Sequence, residues 1–329
     1  MAIQHYIKEI GRGARGAKAL DRTQAADLLG QILDGQVSDY EVGAFCIAMR
    51  IKGETADEMC GLWDAVHARI TRIRVRGSQG SNGAAIVIPS YNGARRLPTL
   101  TPLLALLLAR EGLPVLVHGM QTEASRTSVF AVLQRLGIST LPQAGILEPA
   151  QVTAVHTATL LPALARLLAV RQVIGLRNPG HSVAKLLQPV AGPALLLGSY
   201  THPEYLPMLQ ATLTQLGLNA LLSRGLEGEV CADPRRTPQY DGFVHGHHQL
   251  LQARAAGTDG EVPGLPDSID ADSTARYTEA VLAGRLPVPP ALAQQVQHIR
   301  CLVDLVRNSA LSPSEQSQNA IESGTKSHD

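Results

Sequence analysis

Over the first 76 positions apolar residues recur with a helical period. Further on they gather into short β-branched or leucine-rich runs separated by helix-like stretches. Ile3, Tyr6, Ile7 and Ile10 fit one helical face. Asp21 or Thr23 can cap a second helix that runs through Leu33 and ends at Gly35. Ser38 with Glu41, and Thr55 with Glu58, have capping-box spacing. They predict two more helices, one with Val42, Phe45, Ile47, Ala48 and Ile51 as its apolar positions, the other with Met59, Leu62, Trp63 and Val66. Helices this short bury their faces only against one another or against a second chain. Residues 1–76 are therefore read as a helical domain and as the expected seat of a homodimer contact.

Arg69 to Asn82 turns basic and then Gly/Ser-rich, the composition of a domain boundary. Beyond it the pattern changes period. Ile86-Val87-Ile88 reads as a buried strand stopped by Pro89, Ser90 to Ala94 as a turn, Leu103 to Ala109 as a helix begun at Thr101-Pro102, and Pro114 to Val117 as a second strand. That is a βαβ unit, whose usual ligand position is the turn after its first strand. Here the turn carries Arg95 and Arg96 and meets no acid until Glu111, so it suits an anion without being a glycine-rich cradle. A helix follows near Val129–Leu136, a helical pair over 163–190, strands at 195–197 and 220–222, and a helix from about Glu204 to Leu216. The expected class is α/β: a small helical N-terminal domain (1–76, joined by helices from about 163–190) plus a large α/β domain (77–310) with a mainly parallel sheet. Residues 311–329 have the composition of a disordered tail.

Charge alters the picture locally rather than overall. The chain of 329 residues carries a net charge of only +1, yet residues 77–190 hold nine Lys+Arg against three Asp+Glu, and residues 191–329 hold nine against 15. Arg166, Arg171, Arg177 and Lys185 occupy the helical pair with no carboxylate beside them, so that pair is expected to face an anion or a partner. Asp233-Pro234-Arg235-Arg236 reads as a turn with two exposed arginines. The four cysteines, Cys46, Cys60, Cys231 and Cys301, lie far apart and are expected as reduced, buried thiols. His245, His247 and His248 near Asp241 have no zinc-site spacing and are expected as solvated loop histidines; His118 is expected as a structural histidine at a strand end. No apolar run is long enough to span a membrane and no signal-peptide core opens the chain, so a cytoplasmic protein is expected.

IKEIGRG at 7–13, IVIPSYNGAR at 86–95, RNPGHSVAKL at 177–186, HPEY at 202–205 and EGEV at 227–230 together resemble the anthranilate phosphoribosyltransferase family, in its non-biosynthetic, DNA-binding YbiB branch. The resemblance covers residues 1 to about 300. It implies that the family's GTGGDG phosphate loop falls on Pro89, Ser90, Tyr91, Asn92, Gly93 and Ala94. There Pro89 offers no N–H, and Tyr91 puts a ring where a glycine stood. The family's phosphate-contacting Asn-Ile-Ser-Thr becomes Thr99-Leu100-Thr101-Pro102, its KHGN becomes Val117-His118-Gly119-Met120, and its serine segment becomes Ala124-Ser125-Arg126-Thr127. The Asp-Glu pair that holds magnesium falls on Val230-Cys231, with Glu227 and Glu229 as possible substitutes. Only the substrate-carboxylate arginine survives, as Arg171 in VRQVIG.

The resulting expectation is a binder without a catalytic residue, cofactor or metal. Nucleic acid, DNA before RNA, would meet Arg95, Arg96, Arg166, Arg171, Arg177, Lys185, Arg235 and Arg236 along a basic groove of a homodimer, with little sequence readout. The alternative is a divergent phosphoribosyl- or pentosyltransferase acting on an anionic acceptor. A small-anion sensor using the same cleft is a third.

Overall fold

A computed structural model describes residues 3–13, 15–76, 84–258 and 260–310. The expected tail and the Gly/Ser-rich part of the expected linker lie outside the described residues. Four helices open the chain: α1 (Gln4–Ile10), α2 (Arg22–Leu33), α3 (Asp39–Lys52) and α4 (Ala56–His67). Capping boxes begin three of them, Asp21/Gln24, Ser38/Glu41 and Thr55/Glu58. Glu58 does more than cap. Fully buried, it accepts from Leu20 N at 2.9 Å and from Lys52 Nζ at 2.6 Å, tying α4 to the loop before α2 and to the end of α3. Phe45, Cys46 and Met49 bury one face of α3, but Ile47 and Ile51, expected inside, are exposed, because the capped start at Ser38 turns them away from the bundle.

Residues 73–75, read from composition as linker, form strand β1 (Ile73–Val75). It lies between β5 (Ile146–Leu147) and β7 (Val190–Ala191) in a small parallel sheet. Its side chains bury alternately, and a three-residue strand is too short to show in a pattern. The large sheet uses β2 (Ala85–Ser90), β3 (Val115–Gly119), β4 (Thr140–Leu141), β6 (Val152–His156), β8 (Ala194–Tyr200), β9 (Ala220–Arg224), β10 (Tyr240–Val244) and β11 (His247–Gln252). Their order is β11-β10-β9-β8-β2-β3-β6-β4, parallel from β9 to β4, with β10 and β11 as an antiparallel edge. Pro89 lies inside β2 rather than ending it: the ladder to β8 stops at Val87↔Leu196, while that to β3 continues through Ser90↔Gly119. The missing N–H falls where β8 no longer pairs.

Alternation along the strands builds two cores. Ile86, Ile88, Val115, Val117, Leu195 and Leu197 face a layer of helices, among them α5 (Thr101–Arg110), α6 (Val129–Arg135), α11 (Ala271–Leu282) and α12 (Pro290–Ala310). Val87, Leu116, Leu196 and Leu222 face the other way, into a core continuous with α1–α4. That side also holds α7 (Thr157–Leu160), α8 (Pro162–Ile174), α9 (Pro179–Ala184) and α10 (Leu206–Gln215). α8 and α9, the expected helical pair, pack on α2, α3 and α4. One contiguous apolar interior therefore fixes the helical domain to the face of the sheet beside the C-terminal ends of β2 and β8.

Candidate anion-binding cleft

β2 leads to β3 on one side, while its other neighbour, β8, arrives much later in the chain. Loops leaving β2 and β8 must therefore diverge, opening a crevice at their C-terminal ends where parallel sheets hold ligands. A cavity of about 550 Å³ lies there. Asn92 and Arg95 reach it from the loop after β2; Tyr200, Thr201, His202 and Tyr205 from the end of β8 and the loop after it; Arg177, His181 and Lys185 from α9 and the turns that flank it; and Arg50 and Glu54 from the end of α3.

The loop after β2 is held from within. Glu229, 2% exposed, accepts from Asn92 N at 2.7 Å and from Gly93 N at 2.8 Å through Oε1. Glu227 accepts from Arg95 N at 2.5 Å and Arg96 N at 2.9 Å. Four N–H groups of one loop, of the kind that elsewhere cradle phosphate, thus already have carboxylate acceptors. GLEGEV is shaped for this. Glu227 has φ +52° and Gly228 φ +87°, and a Cβ on Gly228 would come within 2.0 Å of Asn92 Nδ2. The left-handed conformation of Glu227 costs about 1 kcal/mol, against two charge-assisted hydrogen bonds it makes possible. Lys185 Nζ (3.1 Å) and Ser199 Oγ (3.0 Å) both donate to Gly228 O and pin the turn to α9 and β8.

The two glutamates expected as metal substitutes are therefore committed to backbone amides. Tyr91 also differs from expectation. Its ring points into the core, where the hydroxyl meets Thr157 Oγ1 at 2.9 Å and His118 Nδ1 at 3.2 Å. The carboxylates, not that ring, fill the loop. His118 is a buried structural histidine whose Nε2 donates to Leu187 O at 3.1 Å.

Of the expected cations, Arg95, Arg177 and Lys185 meet at the cavity. Arg177 Nη2 donates to Asn92 Oδ1. Arg171 joins them indirectly: its Nη2 donates to Glu123 Oε1 at 2.5 Å, and Glu123 also accepts from Arg126 Nε at 2.8 Å. The acid that answers the carboxylate-free helical pair thus comes from another loop. Burial pushes the Glu123 carboxyl up, but the Arg126 and Arg171 guanidiniums outweigh it and hold it down at about 2. Burial first, and then Arg177, lower Lys185 to about 8. Arg96, exposed, has its backbone in the clamp; exposed Arg166 on α8 and Arg235 and Arg236 do not line the cavity. Arg235 and Arg236 pair with Asp233 at 2.8 and 3.9 Å, a local turn contact. Arg50, Arg126 and His181 are not among the expected anion-binding residues; Arg126 and His181 lie in segments that the resemblance already picks out, at 124–127 and 177–186, but nothing local marks Arg50.

Two other expectations change. His247 and His248 lie on β11, not a loop, and His248 Nε2 donates to buried Asp241 at 2.7 Å. Three of the four cysteines are buried thiols, but Cys301 is exposed.

Residues 4–69 match the model of the glycosyl transferase family, helical bundle domain. Over 308 residues the chain is 38% identical to the uncharacterized protein YbiB of Escherichia coli (strain K12), covering 92% of this chain and 94% of that one. The chain belongs to the anthranilate phosphoribosyltransferase-like family, in the YbiB branch. The anthranilate phosphoribosyltransferase of Methylobacterium radiotolerans is 27% identical over 324 residues, 94% of this chain and 90% of that one. Among solved structures, the Saccharomyces cerevisiae anthranilate phosphoribosyltransferase in complex with PRPP and Mg shares the fold, with a TM-score of 0.66 at 14% identity over 91% of this chain and 88% of that one. The Thermus thermophilus enzyme gives a TM-score of 0.64 at 19% identity over 88% of this chain and 85% of that one. Among the described residues no helix is long and apolar enough to cross a membrane.

Proposed function

We propose that this protein is a non-catalytic nucleic-acid-binding protein on a phosphoribosyltransferase-like scaffold, reading phosphate backbone with little sequence preference. The observation that carries the reading is the clamp. Glu227 and Glu229 satisfy the loop amides from within, while the side chains of Arg95 and Arg96 stand exposed above it and Arg50 is exposed across the cleft. Amides so engaged have little left for a sugar donor; free guanidiniums at the rim suit a polyanion.

Mobility shift of a short duplex across a salt series tests this. Wild-type affinity is expected to fall with a log–log slope of about −0.9 per phosphate neutralised. Arg95→Ala/Arg96→Ala is expected to reduce that slope by up to about 2. A curve flat between about 50 and 200 mM salt overturns the proposal. So does a magnesium-dependent, saturable rise in melting temperature with phosphoribosyl pyrophosphate, which would favour the divergent transferase.

A homodimer through the helical domain belongs to the same reading. Tyr40 (91% exposed), Ile47 and Ile51 (61%) form a stripe at i, i+7 and i+11 along α3, an apolar face with no partner within the described residues. A two-fold axis there would repeat each basic rim. Sedimentation equilibrium is expected to give twice the chain mass for wild type and the chain mass for Tyr40→Lys/Ile51→Lys; a monomeric wild type removes the dimer from the proposal.

A further inference from the structure

Arg126, Arg171 and Arg177 converge from three places: the loop after β3, α8, and the turn that follows α8. Glu123 stands where they meet. Its Oε2 accepts from Arg126 Nε at 2.8 Å and its Oε1 from Arg171 Nη2 at 2.5 Å, with Arg177 Nη2 3.7 Å from that same Oε1. Among the described residues no other carboxylate pairs with any of the three. One negative charge thus answers three positive ones. It does so through single donors, not through the two-pronged bonds that guanidinium and carboxylate make at their strongest. Neutral oxygens, Gly93 O, Thr122 Oγ1 and Asn92 Oδ1, tie the same arginines to the loops around the cleft.

The acid is also placed to leave. Its turn is fixed by other bonds: Gln121 Nε2 donates to Glu123 O at 3.2 Å and to Arg126 O at 3.1 Å, and Thr127 pairs with Ala94. The carboxylate lines the cavity, its side chain 22% exposed, beside exposed Ala124 and Ser125. Rotation of one side chain between staggered rotamers takes it off the arginines while the backbone stays in place.

We infer that Glu123 is a built-in competitor, a selectivity-determining residue that occupies Arg126, Arg171 and Arg177 until a phosphate of a bound strand displaces it. The inference rests on the function proposed above and adds an inner set of cations to the exposed rim of Arg50, Arg95 and Arg96. A small anion that enters alone replaces one carboxylate with one charge of its own and gains little. A strand differs. Once the rim holds it, its next phosphate stands at high effective concentration beside the inner arginines, since Arg95 lines the same cavity as Arg126, Arg177 and Glu123. The displaced carboxylate turns to water, where its charge is solvated. Glu123 therefore keeps single anions out and yields to a polyanion.

Mobility shift of a single-stranded and a duplex oligonucleotide with Glu123→Gln tests this. The amide keeps the volume and an acceptor and removes the charge. Affinity is expected to rise about tenfold, as for a charge-assisted bond released to phosphate, and the log–log salt slope to steepen by up to about 0.9. Glu123→Asp, which keeps the charge but draws it back from Arg171, should rise by less. Glu54→Gln controls for bare charge: Glu54 lines the same cavity but pairs with none of the three arginines, and its loss should gain far less. A double-mutant cycle separates competition from a structural role. Arg171→Gln should cost about tenfold more affinity in the Glu123→Gln background than in wild type, where the acid already occupies that arginine. Equal costs in the two backgrounds, or a Glu123→Gln affinity no higher than that of wild type or Glu54→Gln, overturn the inference and leave the proposed function intact. Retardation by Glu123→Gln with none by wild type supports the inference and removes the proposed function from the resting protein. Retardation by neither overturns both.

Discussion

Glu229→Ala is expected to lower unfolding stability by about 2–5 kcal/mol, since each buried N–H stripped of its acceptor costs about 1–3 kcal/mol. Both Asn92 N and Gly93 N lose their carboxylate in this variant, at a site where the side chains of Asn92 and Glu229 are themselves buried. Water has little access to replace the lost acceptor. Lys185 loses its nearby counter-charge as well. Glu229→Gln is the control. Its amide oxygen can take the place of Oε1 and keep both N–H groups bonded, while its NH2 falls where Oε2 now has no partner. The amide variant should therefore lose less than half of what the alanine variant loses. Urea denaturation at neutral pH reads both, and the midpoint should move without a change in slope if only the native state is affected. Equal losses for the two variants would mean that volume, not the acceptor, is what the loop needs.

The clamp also explains which parts of this protein were legible in its residues. Capping boxes at Asp21, Ser38 and Thr55 are local: the side chain and the amide it bonds are three positions apart, so spacing alone exposes them. The strands at 86–88, 195–197 and 220–222 are fully buried runs and needed no partner to be recognised. The site is otherwise. Glu229 and Asn92 are 137 positions apart, Arg171 and Glu123 are 48 apart, and Lys185 meets Gly228 across 43. No window of sequence contains both members of such a pair. Arg171 on α8, Arg177 in the turn that follows and Lys185 at the end of α9 stand within one short stretch, so their shared charge shows in the sequence, whereas the acid that pairs with Arg171 does not. Reading Glu227 and Glu229 as spare ligands failed because their partners are backbone groups, and an amide leaves no signature in a sequence. Tyr91 shows the same limit from the other side: a bulky residue in a loop can point inward, and only Thr157 and His118 reveal that it does.

Acid is expected to unfold this protein at about pH 5, well above the range in which carboxylates usually fail. Three histidines are buried in neutral form. Burial lowers His67 to about 4 and His118 to about 4, and burial together with Arg177 and Arg171 lowers His181 to about 3. At His67 the reason is plain in the geometry: Nε2 accepts from Gln188 N at 3.1 Å while Nδ1 donates to Trp63 O at 3.0 Å, so a second proton would set N–H against N–H. The sign follows from which state binds protons. Between the unfolded value of about 6.5 and the native values, the unfolded chain takes up protons that the native one refuses, so stability falls as pH falls through that window and is unaffected above it. Each histidine contributes a slope of about 1.4 kcal/mol per pH unit there, and three together about 4, so that about 6 kcal/mol is lost by about pH 5, the whole stability of a domain near the lower end of the usual roughly 5–15 kcal/mol. Glu123 acts in the same direction but later, its stabilisation being lost only as pH falls from the usual carboxylate range towards about 2. Measuring urea-unfolding stability at steps from about pH 7 to 5 gives the slope directly. His67→Gln will cost stability at every pH through lost packing on Trp63, but it should also flatten the slope by one proton, and that flattening is independent of the packing. A slope unchanged in His67→Gln and in His118→Gln would place the acid sensitivity elsewhere.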